Sequence, residues 1–326
     1  MTKIDIFSGF LGAGKTTLIR KLISEAFKGE KLVLIENEIG IDGGFLQDAG
    51  IEITEMSQGC ICCSLVGDFG KALRQVLETY HPDRILIEPS GVGKLSDVIR
   101  AVQNLHMEDV TLNSFTTVAD ANKCKMYMKN FGEFYNDQIE HANSIILSRT
   151  DGIKPEKLEA CVALLREHNQ NATIITTPWD QLTGAQILET MEHKNTLEEE
   201  LKLLAEETEH EHHHHHDHDH DEHDHDHCCG HHHHHADEVF TSWGTETPRK
   251  YTDDEIRTAL DALINEHRYG VVLRAKGIVK GEGCWIHFDY VPGESNIRTG
   301  SASVMGRLCV IGSKLNEHEL SELFGV

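Results

Sequence analysis

Short, nearly continuous apolar runs alternate with longer segments of helical apolar spacing over the first 190 residues of the chain. Such runs are typical of strands that are buried on both faces of a parallel sheet. We therefore predict a doubly wound, mostly parallel α/β domain over residues 1–190. Its strands are predicted at 3–7, 31–35, 51–56, Arg84–Glu88, 114–121, Ser144–Ser148 and 172–176, and its clearest helices at 14–27 and Val66–Tyr80.

The pattern changes twice after residue 190. Residues 191–238 form a predicted linker, with a Glu- and Leu-rich helical segment at 195–209 and then a flexible part rich in His and Asp. Regular apolar spacing returns afterwards, and residues 239–326 predict a smaller α+β domain. Its helices are predicted at 252–266, with Thr252 as N-cap, and at 315–324, and its strands at 270–275, 284–290 and 307–311.

The formal charge of −24 restricts the classes of partner. The run at 209–235, called the His/Asp tract below, carries eight carboxylates, and the rest of the chain still has a charge of −16. This balance argues against nucleic acid or an anionic membrane as the main partner, and it suits a protein that handles cations.

Three further features indicate a cytoplasmic protein. No apolar stretch approaches the roughly 18–20 residues that span a bilayer. The first residues lead straight into a predicted strand and do not resemble a signal peptide. Nine cysteines, with adjacent pairs at Cys62 with Cys63 and at Cys228 with Cys229, indicate reduced thiols and metal sites rather than a disulfide framework.

The His/Asp tract holds 16 of the 24 histidines, interleaved with aspartates. Neutral imidazole binds zinc, nickel, cobalt and copper, so the composition predicts metal binding, although a purification tag or a solvated linker is the alternative. As a flexible coil its 27 residues would span roughly 30 Å. The candidate ligands are His212, His213, His214, His215, His216, His218, His220, His231, His232, His233, His234 and His235.

A phosphate-binding loop follows the first predicted strand. The sequence from Gly9 to Thr17 fits G-x-x-x-x-G-K-[ST] between a strand and a helix, which is the context that this motif requires. Lys15 is expected to reach the β- and γ-phosphates, and Thr16 to hold Mg²⁺. The remaining nucleotide-binding candidates of the loop are Gly9, Gly12, Ala13, Gly14 and Thr17.

Two later strand ends supply further nucleotide-site candidates. Glu88 ends a buried strand and is placed for the Mg²⁺ sphere, and Gly91 would offer its N–H to the γ-phosphate. Asp151 follows another strand and could accept from the N1 and N2 donors of guanine, so GTP is favoured over ATP. Ser148 and Arg149 depart from the usual N-K-x-D pattern at this point.

Three cysteines lie close together between the 51–56 strand and the next helix. Cys60, Cys62 and Cys63 form a thiol-rich site that suits Zn²⁺ and could suit Cu(I). Glu38 is the candidate fourth ligand, although it could instead bind Mg²⁺ or face solvent. The alternative for the cysteines is burial as small apolar side chains.

These motifs together resemble the CobW-type family of metallochaperone P-loop GTPases. The resemblance rests on the phosphate-binding loop, on 37–40, on the C-x-C-C loop and on 88–91, and 273–277 with 285–288 resemble the family's C-terminal domain. It implies GTP hydrolysis with Mg²⁺, coupled to delivery of Zn²⁺, or sometimes Co²⁺ or another metal, to a client protein. It also implies that Cys60, Cys62 and Cys63 form the transfer site.

We therefore predict a GTP-regulated metal chaperone with catalytic residues Lys15, Thr16 and Glu88. Its partners would be GTP, a metalloprotein client and, for the C-terminal domain, a client or a second copy of the chain. Three alternatives stay open: a His-rich metal buffer, a GTPase that matures a nickel enzyme, and a small-molecule kinase.

Overall fold

The computed structural model describes residues 1–36, 52–55, 66–105, 107, 109–193, 197, 201–202, 204 and 241–326. The chain divides into two compact units, Met1–Lys194 and Asn195–Val326. The three-part division of the chain at residues 190 and 238 stays a prediction.

The first unit contains a seven-stranded sheet in which every neighbouring pair of strands is parallel. The strand order is β3-β2-β4-β1-β5-β6-β7. The strands are β1 (Thr2–Ser8), β2 (Leu32–Glu36), β3 (Glu52–Glu55), β4 (Arg84–Glu88), β5 (Val110–Asp120), β6 (Ser144–Ser148) and β7 (Thr173–Ile175). The predicted parallel α/β class is confirmed, and the centres of β2, β4 and β6 are apolar and buried as expected for such a sheet.

Within the described residues, five helices connect these strands and a sixth follows β7. They are α1 (Lys15–Glu25), α2 (Val66–Tyr80), α3 (Leu95–Gln103), α4 (Cys124–Glu140), α5 (Pro155–His168) and α6 (Gly184–Met191). The strand order reverses at β1, because later strands add on both of its sides. Ligands of doubly wound sheets bind at such a switch point, beyond the carboxyl ends of the strands.

The second unit contains a five-stranded antiparallel sheet of order β11-β10-β9-β12-β8. The strands are β8 (Thr241–Thr247), β9 (Val271–Lys280), β10 (Trp285–Val291), β11 (Glu294–Gly300) and β12 (Gly306–Ser313). The helices are α7 (Asp253–Ala262), α8 (Glu266–Tyr269) and α9 (Glu317–Phe324). Ile256, Leu260, Phe288, Leu320 and Phe324 belong to one core cluster, so α7 and α9 pack on one face of the sheet.

The second unit differs from its sequence prediction in three places. The edge strands β8 and β11 were not predicted, and β9 continues to Lys280 instead of ending at Ala275. The helix predicted at 252–266 is two helices, α7 and α8. The small α+β class is nevertheless confirmed.

No helix in the part of the chain that the structure describes is long and apolar enough to cross a membrane.

Candidate functional site

The loop between β1 and α1 needs glycine at three positions. Gly9, Gly12 and Gly14 have φ values of 139°, 68° and 106°, which L side chains rarely adopt. A Cβ atom on Gly9 would lie 2.3 Å from the carbonyl oxygen of Val118 in β5. The loop therefore lies directly against the neighbouring strand, and its backbone conformation depends on the missing side chain.

The N-terminus of α1 is left open to an anion. Its N-cap is Gly14, which has no side chain to accept from the first N–H groups, and its first turn contains no acidic residue. The first N–H groups of a helix lack partners within the helix, and its dipole favours negative charge at this end. The loop and helix together form a cradle for a phosphate group.

Lys15, Thr16 and Glu88 meet at the carboxyl ends of β1 and β4. The Thr16 hydroxyl lies 3.2 and 3.3 Å from the two Glu88 carboxylate oxygens. Lys15 Nζ lies 3.9 Å from Glu88 Oε1 and donates to the Gly9 carbonyl at 3.0 Å. A hydroxyl and a carboxylate side by side are hard oxygen donors of the kind that Mg²⁺ prefers, so these residues fit that ion.

The segment after β4 lies against the phosphate-binding loop. A Cβ atom on Gly91 would lie 2.9 Å from the backbone nitrogen of Leu11. Gln138 of α4 holds this segment from behind, because its amide Nε2 donates to the carbonyls of Gly91 and Gly93 at 3.1 and 2.8 Å. Gly91 therefore lies close to the phosphate-binding loop, and its contact with a γ-phosphate stays a prediction.

Arg149 ties the turn after β6, where the nucleotide base is predicted to bind, to the phosphate-binding loop. Arg149 has a positive φ of 55°. Its guanidinium donates to the Gly12 carbonyl at 2.9 Å and to the buried carboxylate of Asp120, at the end of β5. Asn122 donates to the Arg149 carbonyl at 3.2 Å. Arg149 thus links the two segments between which a nucleotide would lie.

The two other residues named at this turn, Ser148 and Asp151, differ in their exposure to solvent. Asp151 is exposed in the turn after β6, while Ser148 is buried at its end. Trp179 was not predicted as a site residue. Its indole Nε1 donates to the Leu147 carbonyl at 2.9 Å, and its ring lies 3.3 Å from the position of a Cβ on Gly14.

Sequence reasoning missed Asp120, Gln138 and Trp179 as parts of this site. Asp120 could have been predicted from its position in the sequence, because it is the last residue of a strand that ends at the same edge of the sheet as Glu88. Gln138 and Trp179 could not have been predicted in this way, because their contacts depend on tertiary packing.

The predicted metal-transfer residues lie outside the described residues. These are Cys60, Cys62 and Cys63 with Glu38, and the tract histidines His212–His216, His218, His220 and His231–His235. Among the residues that the structure does describe, no group of three or more His, Cys, Asp or Glu side chains could hold a metal ion.

Several related proteins match about half of the chain. Zinc chaperone YeiR of Escherichia coli (strain K12) is 28% identical over 188 residues, which cover 56% of this chain and 57% of the relative. Zinc chaperone CobW of Sinorhizobium sp is 33% identical over 187 residues, covering 48% and 52%. Zinc-regulated GTPase metalloprotein activator 1 of Schizosaccharomyces pombe is 30% identical over 191 residues, covering 55% and 46%. The chain spans about half the length of these relatives.

A solved structure also aligns with the chain. The Zn(II)-bound YjiA GTPase from E. coli is 18% identical, with a TM-score of 0.41, and the alignment covers 99% of this chain and 98% of that one.

Family models account for both units. The model for the C-terminal domain of the cobalamin synthesis protein cobW matches residues 240–325. The model for the nucleotide-binding domain of CobW, HypB and UreG matches residues 3–176, which include the loop at Gly9, the Thr16–Glu88 contact and the Arg149 link. The chain therefore belongs to the CobW/HypB/UreG family.

Proposed function

We propose that the chain is a GTP-hydrolysing metallochaperone that binds zinc, or cobalt or another divalent transition metal, and delivers it to a client protein in the cytoplasm. The observation that carries the proposal is the meeting of Lys15, Thr16 and Glu88 beside an uncapped helix N-terminus and a glycine-dependent loop. The names of the related zinc chaperones and GTPase activators support the choice of cargo.

Each nucleotide-site residue has a distinct task in this proposal. The amides of 9–14 and of the first turn of α1 hold the phosphates, and Lys15 neutralises charge on the β- and γ-phosphates. Thr16 and Glu88 would hold Mg²⁺, which supplies further charge neutralisation when bound. The Gly91 N–H would donate to the γ-phosphate.

GTP rather than ATP is the proposed nucleotide. Asp151 is the proposed acceptor for the guanine N1 and N2 donors. The Arg149 stem is suited to cover one face of the base, because its head is held by Asp120 and by the Gly12 carbonyl. Asp151 is exposed and therefore accessible to a ligand.

Metal transfer is proposed at Cys60, Cys62 and Cys63, with Glu38 as a further ligand. The His/Asp tract would collect metal, because its many sites exchange ligands easily, and would pass the metal to the thiols. Glu38 follows β2 in the sequence, and the three cysteines follow β3. Both strands end at the edge of the sheet where the nucleotide is proposed to bind. Loops beside a γ-phosphate change their order when it is cleaved, so the affinity for metal would depend on the nucleotide.

The decisive experiment measures zinc affinity in a variant that lacks 209–235, with and without a non-hydrolysable GTP analogue. We expect the two affinities to differ, and the difference to disappear in the Cys60→Ser variant. Equal affinities in both nucleotide states, with the three cysteines intact, would contradict a nucleotide-gated transfer site.

The same preparation tests the nucleotide site through Lys15→Ala. Loss of one hydrogen bond to a charged group removes about 1.5–3 kcal/mol, so GTP affinity should fall by about 10- to 100-fold. Lys21→Ala is the matched control, because Lys21 lies on the same helix and pairs with Glu25 one turn later, at 2.8 Å. An equal loss of affinity in both variants would show a general effect on α1 instead.

A further inference from the structure

A cluster of large apolar side chains is exposed beside the phosphate-binding loop. Isolated exposed apolar residues are ordinary on protein surfaces, whereas a contiguous patch marks an interaction site. The members, with their exposed fractions, are Leu11 (48%), Val92 (45%), Met126 (46%), Phe131 (45%) and Phe134 (36%). We call these five residues, with the lysines named below, the apolar–basic face.

The face is continuous across three segments of the first unit. The Phe131 ring centroid lies 4.9 Å from that of Phe10, which precedes Leu11 in the loop. Gln138 ties α4 to the segment that carries Val92 through two hydrogen bonds. Lys94 Nζ lies 5.9 Å from the ring centroid of Phe134. The tip of the phosphate-binding loop, residues 91–94 and the outer side of α4 therefore form one surface.

Basic residues border these apolar side chains. Lys94 pairs with Glu133 at 2.9 Å, and Lys123 lies 4.0 Å from Asp120. Lys125 and Lys129 are exposed one helical turn apart, and neither has an ion-pair partner within the described ranges of the chain. Exposed positive charge at this place, on a chain of net charge −24, favours a partner with acidic side chains.

We propose that the apolar–basic face is the docking surface for the metalloprotein client, which it recognises through an acidic segment that carries apolar side chains. This inference rests on the proposed delivery of metal to a client. Aromatic and Met side chains are enriched at the cores of protein interfaces, and complementary charge raises the association rate and fixes the orientation.

Two other occupants fit the face less well. A second copy that paired through this same face would bring two basic faces together, so that Lys125 and Lys129 of both copies would share one interface, and like charges at an interface repel. The chain's own His/Asp tract is acidic, but it has no Phe, Tyr, Trp or aliphatic side chain to cover Met126 and Phe134. An acidic and apolar client segment satisfies both parts of the surface.

The location of the face gives docking a link to the nucleotide. Leu11 lies within the phosphate-binding loop, and Val92 follows Gly91, which approaches that loop. A client bound here would contact both segments that surround the phosphates. Docking is therefore expected to be sensitive to the bound nucleotide.

The test uses the full chain in cells that lack it and grow under zinc chelation. One variant, Met126→Ser with Phe134→Ser, removes apolar area, and Phe131 is kept because it supports Phe10. A second variant, Lys125→Glu with Lys129→Glu, reverses the charge. The control, Lys28→Glu with Lys31→Glu, makes the same charge change on exposed lysines that precede β2, at the opposite edge of the parallel sheet.

We expect both face variants to lose growth rescue while the control rescues fully and the purified proteins hydrolyse GTP within about twofold of the wild-type rate. Full rescue by both face variants would overturn the docking proposal alone. A parallel loss of hydrolysis in the face variants would assign the face to the nucleotide site and overturn docking as well. Failure of the wild-type chain to rescue would overturn the proposed function, and this inference with it.

A photocrosslinking experiment identifies the occupant. Photoreactive benzoylphenylalanine replaces Met126 in the full chain in zinc-limited cells, and the attached peptide is sequenced by mass spectrometry. The expected adduct is an acidic, apolar segment of a zinc-requiring protein, and it should disappear with Lys125→Glu and Lys129→Glu. An adduct on a second copy of the chain, or on a segment without acidic residues, would overturn the assignment.

Discussion

At the scale of single residues, the phosphate-binding loop provides a matched pair of glycine substitutions. Gly9→Ala places a Cβ 2.3 Å from the Val118 carbonyl oxygen, whereas a Cβ on Gly12 has no atom within 4 Å. Both residues have positive φ, so Gly12→Ala carries only the left-handed strain of about 1–2 kcal/mol. Gly9→Ala adds a collision with the backbone of a buried strand.

We expect Gly9→Ala to lower the free energy of unfolding by more than about 3 kcal/mol, and Gly12→Ala by about 1–2 kcal/mol. Urea unfolding of the nucleotide-free protein measures both values. Equal losses would mean that the loop can move away from β5, and that Gly9 is required for its φ alone.

The sequence points to the residues of the loop, whereas it does not point to most of the residues behind them. Lys15, Thr16 and Glu88 were predictable because a motif and two strand ends specify them, and the structure brings these three together. The role of Arg149 in joining the loop to Asp120 was not predictable. It depends on a positive φ and on a contact between residues 29 positions apart.

At the scale of secondary structure elements, a buried ionic cluster fixes the amino-terminal edge of the parallel sheet. Arg84 begins β4 and is 2% exposed. Its guanidinium donates to Asp5 of β1, to Glu30 at 2.6 Å and to Glu192 after α6 at 3.2 Å. A buried arginine with several carboxylate partners holds these elements in one arrangement.

Removing Arg84 should destabilise the first unit strongly. Breaking a buried pair leaves an uncompensated charge and costs about 3–5 kcal/mol, so this loss of unfolding free energy is expected for Arg84→Ala. Arg100→Ala is the control, because its pair with Asp97 is exposed and worth less than about 1 kcal/mol. Similar effects of the two substitutions in chemical unfolding would show that water reaches the Arg84 cluster.

The N-terminus of α7 makes the second unit sensitive to acid. Thr252 and Glu255 form a capping box, in which the Thr252 backbone N–H donates to Glu255 at 2.8 Å. This hydrogen bond, the Thr252 hydroxyl and the nearby Arg249 hold the pKa of Glu255 below its ordinary value of 4.5. A lowered pKa gives stability that is present above pH 4.5 and is lost as the pH falls through the value in the folded state.

Glu255→Gln tests this contribution, because the amide oxygen can still accept from Thr252 but cannot titrate. Wild type should be more stable than the variant by roughly 0.3–1 kcal/mol near neutral pH. The difference should shrink as the pH is lowered below 4.5 and through the pKa of the folded state, because the wild-type carboxylate becomes protonated. Thermal unfolding across this range measures it, and a difference that does not vary with pH would assign the effect to shape rather than to charge.

Elements with a buried apolar side were predictable from the sequence, and the two edge strands of the second unit were not. The helix Val66–Tyr80 and the strand Arg84–Glu88 have their predicted bounds. By contrast, β11 is exposed along nearly its whole length, so its sequence has no alternation of apolar and polar residues. Only its pairing with β10 makes it a strand.

At the scale of the whole molecule, the His/Asp tract joins two parts of the same compact unit. Leu204 is 1% exposed and packs with Cys309 and Ile311 of β12, while Leu197 and Leu201 pack around them. These leucines lie before the tract and Thr241 lies after it, and all belong to the second unit. The fold of this unit therefore includes chain on both sides of the tract.

Two changes around this connection should have opposite consequences. Leu204→Ala is expected to cost about 2–4 kcal/mol, because it leaves a cavity against Cys309 and Ile311. Deleting 209–235 should change stability by less than about 1 kcal/mol, since the cost of closing a loop depends only weakly on its length, while the number of bound zinc ions falls. Fluorescence of Trp243 and Trp285 reports unfolding of the second unit, and zinc titration counts the ions. A tract deletion that destabilised this unit as much as Leu204→Ala would mean that the tract supports the fold. A loss of bound zinc would then follow from unfolding, and it would contradict the assignment of the tract to metal collection.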